Sequence, residues 1–160
     1  MSTLGYNPDV NIQLIKDLCT KLINNPIVRD LTICQAILES RLEGKPSLLA
    51  YNSCNLFGIK AGGVVIGTAN PNYTEMPTKE YKTDGTSYIE MSKFVKNNNL
   101  EDSIKQHEAL FERLDRYHNL LVPSITFQEA AHLIQEDGYA TDPNYSNLLI
   151  DMYNKHIKTL

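Results

Sequence analysis

Glu80-Tyr81-Lys82-Thr83-Asp84-Gly85-Thr86-Ser87-Tyr88-Ile89-Glu90-Met91 is the one stretch of this chain that reads as paired strands. Two β-leaning runs flank Asp84-Gly85, a dipeptide that supplies the positive φ values of a tight type I′ turn, so a hairpin is expected from about Glu80 to Met91. Just before it, Ala61 to Pro77 is rich in Gly, Asn, Pro and Thr and carries no sustained period, which predicts a mobile or irregular excursion. The flap region as a whole spans about residues 61–92.

Away from this insertion the dominant period is helical. Val10, Leu14, Ile15, Leu18, Leu22 and Ile23 recur at helical spacing between about Asp9 and Asn24, and Asn24-Asn25-Pro26 ends that helix. A second helix is expected from about Thr32, a possible N-cap, to Glu43, with Gly44 and Pro46 stopping it. Ser47 to Lys60 reads as a half-turn of helix, the polar loop Tyr51-Asn-Ser-Cys-Asn55, and then Leu56-Phe-Gly-Ile-Lys60. Beyond the hairpin, Leu100 to Leu114 carries Ile104, Leu110, Phe111 and Leu114 on one helical face. Thr126-Phe-Gln-Glu129 is a capping box, and Gly138 is suited to the left-handed position after that helix. Asp142-Pro143 is expected to open the last helix, with Asp as N-cap and Pro in the first turn. The pattern describes a single domain over residues 1–160, helical with a small β-flap, and places a site where flap meets bundle.

Composition narrows the function. The chain has 160 residues, 19 acidic and 15 Lys/Arg side chains, a net charge of −4, and 42% hydrophobic residues. A chain of this length buries roughly 68–70% of its extended surface and needs no metal or disulfide scaffold. The acidic balance lacks the cationic excess that phosphate neutralisation requires, so nucleic acid is excluded as a partner. Cys19, Cys34 and Cys54 are widely spaced and form no Cys-x-x-Cys pair; they read as reduced core residues. No apolar run approaches the ~18 residues of a membrane span, and the N-terminus has neither the basic nor the apolar region of a signal peptide, so no membrane insertion is expected.

His107, His118, His132 and His156 fall on separate segments with no metal-binding spacing, and no Gly-rich phosphate loop or nucleophile elbow is present. Carboxylates remain. Gln35, Glu39 and Glu43 share one helical stripe, which periodicity alone reads as a solvated face, and Glu80 reads as a solvated strand residue.

Four motifs change that reading. Ala36-Ile-Leu-Glu39-Ser40, Asn55-Leu-Phe-Gly-Ile-Lys60, Thr78-Lys-Glu80-Tyr81 and Gly138-Tyr-Ala-Thr-Asp-Pro-Asn-Tyr145 stand in this order across most of the chain. Together they resemble glycoside hydrolase family 73, the peptidoglycan N-acetylglucosaminidases of bacterial autolysins, flagellar wall-piercing enzymes and phage lysins. The resemblance implies a mainly α, lysozyme-like α+β fold in which the helix bearing Glu39 opens into a cleft and the hairpin closes over it. It puts the catalytic glutamate at Glu39, the flap carboxylate at Glu80 and the site tyrosine at Tyr139. Where the family commonly has Trp after Glu-Ser this chain has Arg41-Leu42-Glu43, and where an aromatic often follows Phe-Gly-Ile-Lys it has Ala61-Gly62-Gly63. Sugar stacking therefore falls to Tyr and Phe, and Tyr51, Asn55, Phe57, Tyr81 and Tyr139 are the candidate substrate contacts.

The implied reaction cleaves β-1,4 bonds of peptidoglycan glycan strands between N-acetylglucosamine and N-acetylmuramic acid, with Glu39 as general acid and no metal or other cofactor. Glu80 activates a water, stabilises the cation, or orients a substrate whose own acetamido oxygen is the nucleophile; carboxyl separations of ~6.5–9.5 Å suit an inverting water and ~5–5.5 Å a covalent intermediate. A muramidase or lytic transglycosylase on the same fold, and a non-catalytic phage wall-binding or structural domain, are the alternatives. A wall-degrading motif set without a signal peptide fits a phage product made in a host cytoplasm and released to the cell wall, or carried in a virion. A longer chain with a further wall-binding domain is also compatible.

Overall fold

The computed structural model describes residues 10–60, 73–122 and 124–158. Its first helix, α1 (Ile12–Leu22), is capped by Asn11, whose side chain accepts from Leu14 N, and it buries Ile15 and Cys19. The second helix departs from expectation at both ends. α2 runs from Pro26 to Glu39, not from Thr32 to Glu43. Asn25 is its cap, accepting from Ile27 N at 2.9 Å and Val28 N at 3.1 Å, and Pro26 has no N–H to leave unpaired. The Asn-Pro pair that ends α1 thus also starts α2. Thr32 lies inside the helix and donates to Val28 O at 2.7 Å. At the other end Ser40 caps the helix and Arg41 takes φ 54, so the chain turns away before Glu43. α2 is buried nearly all round and packs against α1, against the helix Leu100–Arg113, and against the two helices that close the chain.

α3 (Leu48–Ser53) is capped by Ser47 and takes in Tyr51 and Asn52, which were expected in a loop. The hairpin is longer than expected: β1 (Tyr73–Tyr81) pairs antiparallel with β2 (Ser87–Val95), from Tyr73 opposite Val95 to Tyr81 opposite Ser87. Tyr73 to Pro77, read from composition as irregular, is therefore strand, while 61–72 lies outside the described residues. The turn is not type I′. Gly85 has φ 89, but Asp84 has no positive φ; Gly85 N donates to Lys82 O at 2.9 Å and Lys82 N to Thr86 O at 2.8 Å. That is a three-residue loop with glycine in the left-handed position, held by Asp84 accepting from Thr86 N and Oγ1.

α4 (Leu100–Arg113) leads into a short 3-10 helix, Asp115–Leu121, that the periodicity did not predict. α5 (Phe127–Glu136) has the expected capping box between Thr126 and Glu129. It ends in a Schellman turn: Gly138 has φ +83, Tyr139 N donates to Ile134 O and Gly138 N to Gln135 O. α6 (Tyr145–His156) starts later than expected, with Asn144 and not Asp142 at the cap. Asp142 and Pro143 form the turn before it, and Asp142 accepts from Asn144 N at 2.8 Å. The orphan N–H of Ser146 is met instead by Gln135 Oε1 at 2.6 Å, which ties the end of α5 to the start of α6. Cys19, Cys34 and Cys54 are buried, and among the described residues none is joined in a disulfide. Among the described residues no helix is long and apolar enough to cross a membrane.

Candidate active site

α2 delivers Glu39 as its last helical residue. Ser40 Oγ donates to Leu56 O at 2.6 Å and Ser47 N to Ser40 O at 2.9 Å, fastening that helix end to the Asn55–Lys60 segment. Around it lies a cleft of about 630 Å³. Phe57 to Lys60 form one wall, Thr78 to Tyr81 of β1 another, and Tyr139 to Asp142 with Tyr145 a third.

Water reaches the Glu39 side chain through the open cleft, yet protein crowds it closely. That desolvation pushes its carboxyl up to about 7. The Tyr145 hydroxyl works against the shift, while the negative charges of Glu80 and Asp142 add to it. The C-terminal end of the α2 dipole also disfavours an anion here. The Gln35-Glu39-Glu43 stripe is not one solvated face, although Glu39 and Glu43 both meet water. Gln35 is buried, Glu39 lies in the cleft, and Glu43 lies past the helix end, where it pairs with His156 Nε2 at 2.8 Å.

Glu80 projects from the inner face of β1, and both its oxygens are occupied. Oε1 pairs with Lys60 Nζ at 3.1 Å, and Oε2 accepts from Thr141 Oγ1 at 3.0 Å. Thr141 Oγ1 also accepts from Tyr81 N at 3.1 Å, so the hairpin is pinned across the cleft to the loop that follows α5. Lys60 reaches Glu90 Oε1 at 3.4 Å as well. Burial works against the Lys60 charge, but its bonds to Glu80 and Glu90 outweigh that and raise its pKa.

Glu39, Glu80, Phe57, Tyr81 and Tyr139 all line the cleft, and Tyr51 and Asn55 do not. Asn55 is buried, and its amide is spent on the backbone: Nδ2 donates to Ile59 O at 3.0 Å and Val95 O at 2.9 Å, and Oδ1 accepts from Ile59 N at 3.1 Å. In place of a sugar contact it clamps the wall segment to the end of β2. Tyr51 is half-buried on α3. Tyr139 leaves the Schellman turn into the cleft and stacks on Tyr145, with ring centres 5.9 Å apart. Sequence reasoning passed over Tyr145, Thr141, Lys60, Phe94 and Tyr117, which line the same cleft. Tyr145 and Lys60 each close one of the four motifs, a signal that could have marked them.

His107 is fully buried with Nδ1 3.2 Å from Thr32 Oγ1, while Nε2 has no partner among the described residues. It stacks on Phe57 at 4.0 Å, and burial pushes its pKa down to about 3, so it is neutral. Among the described residues no group of three or more His, Cys, Asp or Glu side chains is placed to hold a metal.

A helix-borne glutamate held protonatable at the floor of a cleft, facing a second carboxylate on a hairpin, defines a lysozyme-like domain with the layout of a glycoside hydrolase. The chain belongs to the glucosaminidase family, whose model, described as mannosyl-glycoprotein endo-beta-N-acetylglucosaminidase, matches residues 19–158. It is 31% identical over 134 residues to the exo-glucosaminidase LytG of Bacillus subtilis, covering 81% of this chain and 44% of LytG. It is 33% identical over 125 residues to the peptidoglycan hydrolase FlgJ of Salmonella typhimurium, covering 76% of this chain and 37% of FlgJ. The chain thus spans less than half the length of these curated relatives. Among solved structures, a C-terminally truncated glycoside hydrolase domain of Salmonella typhimurium FlgJ superimposes with a TM-score of 0.58 at 29% identity, covering 91% of this chain and 92% of that one. A peptidoglycan hydrolase mutant from Sphingomonas sp. A1 gives a TM-score of 0.67 at 25% identity, covering 89% and 90%.

Proposed function

We propose that this domain hydrolyses peptidoglycan glycan strands as an endo-β-N-acetylglucosaminidase, cleaving the β-1,4 bond between N-acetylglucosamine and N-acetylmuramic acid, with Glu39 as general acid. The observation that carries the reading is Glu39 itself: a carboxyl on the cleft floor whose proton is retained to about 7 and is therefore available to a leaving oxygen near neutral pH. Tyr81 and Tyr139 supply aromatic surface for sugar faces, in keeping with the missing Trp, whereas Phe57, expected to share that role, is buried with its ring stacked on His107. Action at the cell wall belongs to the same reading. Delivery as a phage product and a companion wall-binding domain are part of the proposal and rest on the motif resemblance alone.

The test is digestion of purified cell walls followed by mass spectrometry of the released muropeptides. New reducing ends on N-acetylglucosamine within internal fragments are expected, and activity should survive a strong chelator. Reducing ends on N-acetylmuramic acid, or anhydro products, would replace this reading with a muramidase or transglycosylase. Single sugars released from chain ends would indicate exo cleavage, the activity for which LytG is named.

Glu80 acts here as an anion that orients the substrate's acetamido group, not as the base that deprotonates water. What supports this is that Lys60 and Thr141 already engage both of its oxygens, so neither stands free to face an attacking water. Glu80→Gln is expected to slow turnover about tenfold, less than loss of Glu39, because the amide keeps one acceptor but loses the charge. Amide exchange at Glu80 and Tyr81 should also slow when glycan fragments bind. A loss as severe as that of Glu39→Gln would instead assign Glu80 the water-activating role.

A further inference from the structure

We propose that Gln35, acting through Tyr145, fixes which oxygen of Glu39 carries the acid proton. Gln35 is fully buried, one helical turn before Glu39 on α2, and its Nε2 lies 3.0 Å from Tyr145 Oη. A phenol has one hydrogen to give and lone pairs to accept. Because Gln35 donates to Oη, the Tyr145 hydrogen is left for the carboxyl of Glu39, beside which the phenol lies in the cleft. The Tyr145 ring cannot swing to another partner, being buried and stacked nearly parallel on Tyr139, with 15° between the rings.

The chain keeps this amide at a cost. Gln35 Oε1 is buried with no partner among the described residues, so the bond to Tyr145 is what the side chain contributes. One Glu39 oxygen is thereby reserved as acceptor, and the proton sits on the other. As Glu39 passes its proton to the glycosidic oxygen, its negative charge develops beside the Tyr145 hydrogen, and that bond strengthens. Gln35, by polarising the phenol, strengthens it further. Gln35 is thus a positioning residue for the acid. The other groups acting on Glu39 are Glu80 of β1, Asp142 ahead of α6 and the Tyr139 phenol, with Lys60, Lys79 and Arg116 lining the same cleft.

This inference rests on the glycosidase reading for its kinetic consequences, but the proton placement is testable without turnover. Three variants are compared with wild type: Gln35→Met, Tyr145→Phe and the double variant. The readouts are the 13C carboxyl titration of Glu39 and the pH profile of wall digestion. Tyr145→Phe should lower kcat about tenfold with KM nearly unchanged, and raise the Glu39 midpoint by about one pH unit, because a bond that favours the carboxylate is lost. Gln35→Met should move both in the same direction by about threefold and about half a unit, and should add nothing in the Tyr145→Phe background. Multiplying effects in the double variant, or a Gln35→Met chain that only melts lower with the Glu39 titration unmoved, would overturn the proposal. Should Gln35→Met fail to fold, the Glu39 titration in Tyr145→Phe decides: an unmoved midpoint overturns it. A wild type that releases no reducing ends would refute the glycosidase reading, while the titrations still decide the proton placement.

Discussion

Glu39→Gln is expected to reduce wall lysis about 10²–10⁴-fold while the domain stays folded, since general acid catalysis contributes on that scale and an amide has no acid proton to give. The wild-type rate should decline as pH rises past about 7, where Glu39 loses its proton. The variant also carries a stability signature. Glu39 holds its proton more tightly folded than unfolded, so ionising it costs folding free energy. That cost is absent below the ordinary glutamate range, grows as pH rises from there to about 7, and is fully present above. Glutamine cannot ionise and escapes it. Water in the cleft screens much of this cost and leaves about 1 kcal/mol, so Glu39→Gln should melt about 2–4 °C above wild type at pH 8, as expected for that energy in a domain of this size, and level with it near pH 4. Calorimetry at the two pH values, beside turbidity clearing of cell walls, checks both halves. A variant that clears walls at a comparable rate would remove Glu39 from the acid role.

Asn55→Ala is expected to have the largest effect on stability. One side chain makes three hydrogen bonds to backbone at a buried site, joining Ile59 to Val95. Alanine removes all three and strands backbone groups away from water, a loss of about 3–5 kcal/mol and a drop in melting temperature of roughly 10 °C. Asn55→Asp keeps the acceptor for Ile59 N but loses both donors, so it should not restore the wild-type value. The cleft should suffer with the fold, because the clamp holds Ile59, the residue before Lys60, and Lys60 holds Glu80. A melting temperature within about 2 °C of wild type would show that the clamp contributes little.

The local signals in the chain were sound where the partners were local. The Thr126–Glu129 capping box, Gly138 in the left-handed position and the apolar face of α4 each depend on residues within a turn or two, and each forms as read. Errors arose where one signal had two meanings. Asn25-Pro26 ends one helix and begins the next, and Asp142-Pro143 makes a turn before a helix that Gln135 caps from the neighbouring element.

The helical periods, the hairpin and the family motifs, and through the motifs Glu39 and Glu80 as the carboxylates to watch, are legible in the order of residues. What surrounds those carboxylates follows from the fold. Periodicity reports which face of a helix a residue occupies, not whether a distant segment covers that face. Glu39 is made a candidate acid by the protein that crowds it and by the charges of Glu80 and Asp142, brought to α2 from far along the chain, while Tyr145 at the start of α6 works against the shift. By the same reasoning Asn55, which looks in sequence like an amide for sugars, is consumed by backbone at Ile59 and Val95. Desolvation and hydrogen-bond occupancy belong to the assembled surroundings of a side chain, and folding alone assembles them.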